Sequence, residues 1–377
     1  MPRAAFLIIT LLIFPLASKA QHGWAFRAFP GFLAAHHEDM QAMSSHSLAF
    51  EIAREWKIDS GGWLAKNQRN PFVGVGVGHL GLFREINGRV FSFFGYYDAG
   101  IAGKGKTTLR ARLTTGAGYL SRSWDPFLNP KNRAIGSHIN GLMQVAFYIE
   151  TELKQRSKLQ AGLTLIHFSN GNWSQPNLGI NMPSLFLGIK QLEKAPKYYK
   201  PVQRSDWKNS ELQFSARLGK RQMSMDDPKD IVNHLLEAKY FYPHKPHRYW
   251  TCGLVYYFDR TYVYDKFQPM GQPTFANTAE LAITGGHEYR IGRVGFVADM
   301  GIYIYRPDDT KRRYFQALGL KYYVTPNLVL MNRLKAHLTS ADFFEWGVAW
   351  QFKTKETVTP GIKGGLRWLG NGLKEPD

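Results

Sequence analysis

The chain has 377 residues, a formal net charge of +19, 44% hydrophobic residues and a single cysteine, Cys252, which excludes any intramolecular disulfide and leaves hydrogen-bond ladders and packing to hold the fold. Nucleic acid is one partner a basic chain could take, but the N-terminus sets it aside in favour of an anionic lipid surface, because it reads as an export signal. The 25 Phe, 19 Tyr, 10 Trp and 36 Gly, at only modest hydrophobicity, are what alternation of lipid-facing and lumen-facing residues produces in a membrane barrel.

In chain order, Arg3 precedes an apolar run from Phe6 to Ala17, and Ser18-Lys19-Ala20 then offers small residues where a signal peptidase reads. Cleavage is expected after Ala20, so residues 1–20 read as a signal peptide and the mature chain as exported. The run is short for a bilayer span, and no later stretch offers roughly eighteen consecutive apolar residues, so helical spans are not expected.

The remainder alternates with period two. Met143, Val145, Phe147, Ile149 and Leu153 oppose Gln144, Tyr148, Glu150 and Glu152. Near the end, Leu328, Leu330 and Leu334 oppose Arg333, Lys335 and His337, and Phe344, Trp346, Val348, Trp350 and Phe352 oppose Glu345 and Gln351. Strands are expected near 24–36, 46–57, 71–82, 88–100, 107–121, 139–154, 157–169, 183–193, 211–220, 247–258, 276–289, 292–305, 313–324, 327–338 and 343–353. Because bacterial barrels close with an even count, the expectation is an all-β, antiparallel transmembrane barrel of about fourteen strands, within roughly twelve to sixteen. It would occupy residues 21–353, with 354–377 as a C-terminal tail outside it. No repeat or linker divides the chain.

The segment Leu163-Thr164-Leu165-Ile166-His167-Phe168-Ser169-Asn170-Gly171 carries the chemistry. Residues two apart share one face of a strand, so His167 and Ser169 continue the apolar row of Leu159, Leu163 and Leu165. A base and a nucleophile facing hydrocarbon suit an ester that arrives sideways from the bilayer. After the loop Asn170-Gly171-Asn172-Trp173-Ser174-Gln175-Pro176-Asn177-Leu178-Gly179-Ile180, Asn181 shares the odd phase of Leu185, Leu187 and Ile189 and so returns beside His167. Taken singly, a histidine near a strand end is ordinarily an interfacial polar residue and Ser-Asn-Gly a turn; spacing, phase and the returning Asn181 together point to a catalytic site.

The HxSNG start and PNxGIN end resemble the outer-membrane lipid A deacylase family, including its longer acyloxyacyl hydrolase-like members, over roughly residues 163–189. The resemblance implies that His167 is the general base, Ser169 the nucleophile and Asn177 an oxyanion donor, on the outer wall of the barrel near the outer leaflet. Where that family has a glutamate, this chain has Asn181. A His-Ser-Asn set is similar to that of outer-membrane phospholipase A, although that family's loop before the asparagine is not matched. An asparagine holds the imidazole tautomer but supplies no charge, so a slower hydrolase is expected. Glu150 and Glu152 lie on the inward phase and do not replace the missing acid.

Ser169 Oγ would attack an acyl ester while His167 takes its proton, with Asn177 and the backbone N–H of Asn170 or Gly171 as oxyanion donors. The loop Asn129–Ser137 is expected on the same side, walling the site or meeting lipid phosphate through Lys131 and Arg133, or serving only as a Pro/Asn turn. No metal-ligand spacing connects His36, His37, His46, His79, His244 and His247. No cofactor is implied, with a calcium requirement of the outer-membrane phospholipase kind left open. The expected substrate is lipid A or lipopolysaccharide, or else phospholipid, in the outer membrane of a Gram-negative bacterium; a homodimer is left open. The rival readings are an outer-membrane phospholipase A and a non-enzymatic, porin-like or structural barrel.

Overall fold

Apolar and polar residues alternate along nearly all of the described chain and carry it into antiparallel strands. The computed structural model describes residues 21–58, 69–193, 209–225, 229–245, 247–264, 272–291, 293–308, 312–338 and 340–356. The expected signal peptide lies outside them, as does the expected tail beyond Glu356.

Strands β1 (His22–Leu33), β2 (Ser45–Lys57), β3 (Arg69–Gly81), β4 (Arg89–Lys104), β5 (Thr107–Leu120), β6 (Ile139–Lys154), β7 (Ser157–Ser169) and β8 (Ile180–Leu192) pair in sequence order and close by pairing of β1 with β8. A second set follows: β9 (Asn209–Gln222), β10 (Asp230–Lys245), β11 (Arg248–Phe258), β12 (Ala279–Ile291), β13 (Val294–Tyr305), β14 (Tyr314–Tyr323), β15 (Leu328–His337) and β16 (Ser340–Glu356). It closes by pairing of β16 with β9. The single barrel of about fourteen strands expected over 21–353 is therefore corrected to two closed barrels of eight strands each. β16 also runs three residues into the expected tail, to Glu356.

Alternation reads the same in one large barrel as in two small ones, and the inward side chains show why two form here. Eight strands enclose a space that side chains can fill, whereas about sixteen leave an aqueous channel. In the N-terminal barrel Arg112 grips Glu51 with both terminal nitrogens, at 2.5 and 3.0 Å. Arg27 reaches Glu51 at 2.7 Å and Gln160 at 2.8 Å. Lys190 bridges Glu55 at 2.8 Å and Glu150 at 3.0 Å, and the Tyr148 ring stacks on Phe186 with centroids 4.3 Å apart. The C-terminal barrel repeats the device. Arg333 joins Asp299 and Glu345, each at 2.8 Å, Lys239 meets Asp299 at 2.6 Å, and Arg217 meets Glu237 at 2.8 Å. Charges taken out of water need partners at this range, and each of these pairs closes within its own group of eight strands. Glu150 thus points inward, as its phase predicts, and is spoken for by cations.

The sixteenth strand, β10, is the one the alternation did not reveal. Its inward face mixes Ile231, Leu235 and Phe241 with Asn233, Glu237 and Lys239, and its outward face mixes Val232, Leu236 and Tyr240 with His234 and His244, so no apolar–polar period of two stands out in the sequence. Outward rows elsewhere are as expected, with Val145, Phe147 and Ile149 exposed on β6 and Val348, Trp350 and Phe352 on β16.

Two-residue turns join β4 to β5 and β6 to β7 at one end. Longer loops (34–44, 82–88, 121–138 and 170–179) gather at the other end of the N-terminal barrel. The 170–179 loop also touches the C-terminal barrel, where the Gln222 backbone N–H donates to Asn172 O at 2.8 Å.

Candidate active site

β7 keeps its alternation to its last residue. Thr164, Ile166 and Phe168 are buried in the lumen while Leu163 and Leu165 stand out, 66% and 49% exposed. His167 and Ser169 hold the outward phase. β8 pairs with β7 so that Asn181 lies directly across from His167, and opposed side chains on one face of a sheet are within reach of each other. His167 Nδ1 and Asn181 Oδ1 are 2.6 Å apart.

Asn181 is itself held by the closure of the barrel. Its carbonyl accepts from the Ala34 backbone N–H at 2.9 Å, and its Nδ2 lies 3.2 Å from His36 Nδ1. His36 Nε2 is 3.0 Å from Leu178 O and Nδ1 is 3.3 Å from Ala34 O, both acceptors only, and the shorter contact places the proton on Nε2. A proton on His36 Nε2 leaves Nδ1 to accept from Asn181 Nδ2, which turns Asn181 Oδ1 toward a protonated His167 Nδ1. This assignment of the network leaves His167 Nε2 bare, the form a general base needs.

Ser169 is 7% exposed and faces Gly141 on β6, so no side chain from that strand covers it. Among the described residues it makes no hydrogen bond to His167; in free enzymes such bonds are often long and tighten only around substrate. Gly179 has φ of +82°, and a Cβ there would stand 2.9 Å from His167 Cε1, so only glycine leaves the imidazole its place.

The oxyanion candidates divide. The Asn170 backbone N–H donates to Asn177 Oδ1 at 2.8 Å, so it is occupied. Its side chain holds the loop, donating to Ser174 O at 2.8 Å and Ser137 Oγ at 3.0 Å. With Oδ1 facing a donor, the Asn177 amide has one orientation. Nδ2 donates to Asn172 Oδ1 at 3.2 Å and keeps a second proton. The buried Gly171, at φ +61°, has an N–H with no hydrogen bond among the described residues.

The 121–138 loop walls this site. Gly179 N–H donates to Ala134 O at 2.9 Å, Gly136 N–H to Pro176 O at 2.6 Å, and Ser174 Oγ to Gly136 O at 2.8 Å. Lys131 is exposed, and Arg133 lies 3.9 Å from Asp39 in the β1–β2 loop. Among the described residues no cluster of three His, Cys, Asp or Glu side chains could hold a metal ion.

Sequence reasoning missed two contributors, His36 and Asn172. His36 is 145 residues from Asn181 and arrives only because β1 closes onto β8. Nothing local marks it, although a histidine in the loop after the first strand of a closed barrel sits beside the last hairpin once closure is known.

Residues 46–190 match the family described as Lipid A 3-O-deacylase (PagL), and residues 210–354 match the family described as Acyloxyacyl hydrolase, C-terminal domain. No curated protein matches the chain. Among solved structures, the outer membrane enzyme PagL aligns at 18% identity and a TM-score of 0.32, over 44% of this chain and 97% of that one. CdiB from Acinetobacter baumannii aligns at 11% identity and 0.19, over 88% of this chain and 60% of that one. A mutant Rh. blastica porin aligns at 7% and 0.17, over 88% and 99%. None of these structural likenesses, at such TM-scores, bears on function. The two family matches coincide with the two barrels. The N-terminal barrel matches the lipid A 3-O-deacylase family and the C-terminal barrel the acyloxyacyl hydrolase C-terminal domain family, and together the matches give the protein as a lipid A deacylase, an ester hydrolase, of the Gram-negative outer membrane.

Proposed function

We propose that Ser169, His167 and Asn181 form the catalytic triad of this deacylase, with Asn177 Nδ2 and the Gly171 N–H as oxyanion donors, and that the acyl chain removed is the ester-linked one at position 3 that the family name specifies. The observation that carries the triad is the 2.6 Å contact between His167 Nδ1 and Asn181 Oδ1 on the outward face. His167 Nε2 takes the Ser169 proton as Oγ adds to the ester carbonyl, and the oxyanion develops toward Asn177 and Gly171. Collapse expels the sugar alkoxide, which takes the proton from His167. Water then attacks the acyl-serine with His167 again as base, releasing the fatty acid and restoring Ser169.

Orientation in the membrane follows the family of barrels, in which short turns are periplasmic and long loops extracellular. The 170–179 and 121–138 loops then lie at the outer leaflet, where lipid A resides, and Lys131 and Arg133 are proposed to meet its phosphates. Residues 1–20 are proposed as the cleaved export signal. The porin-like reading has little to support it, because both interiors are filled by ion-paired side chains.

Mass spectrometry of lipid A and, in parallel, of phospholipid after incubation with parent and Ser169→Ala proteins tests this reading. Loss of one acyl mass from lipid A with the parent alone is expected. Equal release by Ser169→Ala refutes the assigned site, and lysophospholipid release with lipid A intact favours the phospholipase reading.

A further inference from the structure

The deacylase chemistry lies wholly in the N-terminal barrel, which leaves open what the second barrel contributes. We propose that the C-terminal barrel is a positioning element for the oxyanion loop, acting through Asn172. The inference rests on the assignment of Asn177 as an oxyanion donor.

Asn172 stands between the two. Toward the site, its Oδ1 accepts from Asn177 Nδ2 and from Gln175 Nε2, each at 3.2 Å. Toward the second barrel, its backbone carbonyl accepts from the Gln222 N–H at 2.8 Å and its Nδ2 donates to Ala341 O. Gln222, the last residue of β9, closes the clamp by accepting the Gln175 backbone N–H on Oε1 at 2.6 Å. Asn172 has φ of +63°, a conformation that asparagine tolerates better than most residues and that aims its side chain back along the loop.

Rings seal the same contact. A Cβ on Gly171 would meet the Phe344 ring of β16 at 2.4 Å, and the Trp173 and Phe344 centroids are 6.3 Å apart. The segment carrying both proposed oxyanion donors is therefore pinned at its turn by strands of the second barrel. A loop at the membrane surface is otherwise among the more mobile parts of a fold. A donor contributes to the rate only when it is already aimed at the oxyanion, and displacement by about 1 Å costs on the order of a hundredfold.

The test is steady-state deacylation of lipid A by full-length variants in detergent, with folding checked by circular dichroism. Gln222→Leu keeps the volume but removes the acceptor, and Asn172→Gly removes the side chain without straining its positive φ. Each is expected to lower kcat about tenfold with KM unchanged, since only a transition-state contact is disturbed. Gln222→Glu keeps an acceptor and should restore most of the rate. Tyr97→Ala, at a separate contact between the barrels where Tyr97 meets Phe296 at 6.4 Å, should leave kcat at the parent value. The double variant Asn172→Gly/Asn177→Ala should be slowed by less than the product of the two single effects, since both act on the same oxyanion contact. Parent-like kcat in Asn172→Gly and Gln222→Leu, with Asn177→Ala impaired, overturns the positioning role and leaves the oxyanion assignment standing. A parent-like Asn177→Ala overturns the oxyanion assignment, and the positioning role with it. Equal losses in Tyr97→Ala and Gln222→Leu would mean that docking of the barrels in general, not this clamp, sets the rate.

Discussion

Replacing Asn181 by aspartate should make this enzyme faster, and replacing it by alanine should make it slower by a comparable factor. Asparagine accepts one hydrogen bond from His167 Nδ1, at 2.6 Å. A neutral bond of this kind contributes about 1 kcal/mol, and one to a charged group about 1.5–3. As His167 becomes imidazolium in the transition state, the bond strengthens by about 1–2 kcal/mol, which Asn181→Ala forfeits. That corresponds to roughly 5–30-fold in kcat. Aspartate has the same length, so its oxygen keeps the 2.6 Å position, while its charge makes the bond to imidazolium about twice as strong. The second oxygen would replace Nδ2 opposite His36 Nδ1, 3.2 Å away, and would gain a donor there only with the His36 proton moved from Nε2 to Nδ1. The expected gain is on the order of tenfold. Glutamate, one methylene longer, would have to fold that length away between the two rings. The assay is initial-rate release of fatty acid from lipid A at matched protein folding. A parent-like rate for Asn181→Ala, or an Asn181→Asp enzyme no faster than the parent, would refute the claim that this contact supports the base.

Four further expectations can be checked separately. Gly179→Ala should lower kcat by about tenfold or more in a folded barrel, because its Cβ at 2.9 Å displaces the His167 ring by a few tenths of an ångström and the residue must hold φ +82°; deacylation rates with a thermal melt separate this from unfolding. Glu55→Ala leaves Lys190, 2.8 Å away, and Arg27 with one partner fewer inside a closed barrel, and should cost about 3–5 kcal/mol in urea unfolding from detergent or lipid. Leu163→Arg puts a charge on the lipid face at a 66% exposed position and should cost up to about 2–4 kcal/mol in the same assay, depending on depth. Planar bilayers containing the protein should show no steady conductance, because Arg112, Lys190, Arg333 and Lys335 fill the lumens with paired side chains; stable open channels would contradict the filled interiors.

Much of the site could be read locally because a strand's side-chain period is two and short-ranged. Counting from Leu163 places His167 and Ser169 on the lipid face, and the same parity on the next strand returns Asn181 to it; register His167↔Asn181 follows from one hairpin. Lumen-facing Glu150 and Arg333 were legible for the same reason. β10 was not, since both its faces mix apolar and polar residues and parity carries no contrast there. The number of barrels was beyond reach of any periodicity, because parity does not say which edge β8 will meet. That choice belongs to the interior, where Glu51 finds Arg112 and Glu55 finds Lys190 across strands that only closure brings together. His36 beside Asn181 and Gln222 beside Asn172 depend on the same non-local contacts. The sequence alone determined which residues share the lipid-facing phase, His167, Ser169 and Asn181 among them; tertiary structure decided how many barrels form and what holds the loop, since strand parity is a property of neighbours and closure a property of the whole ring.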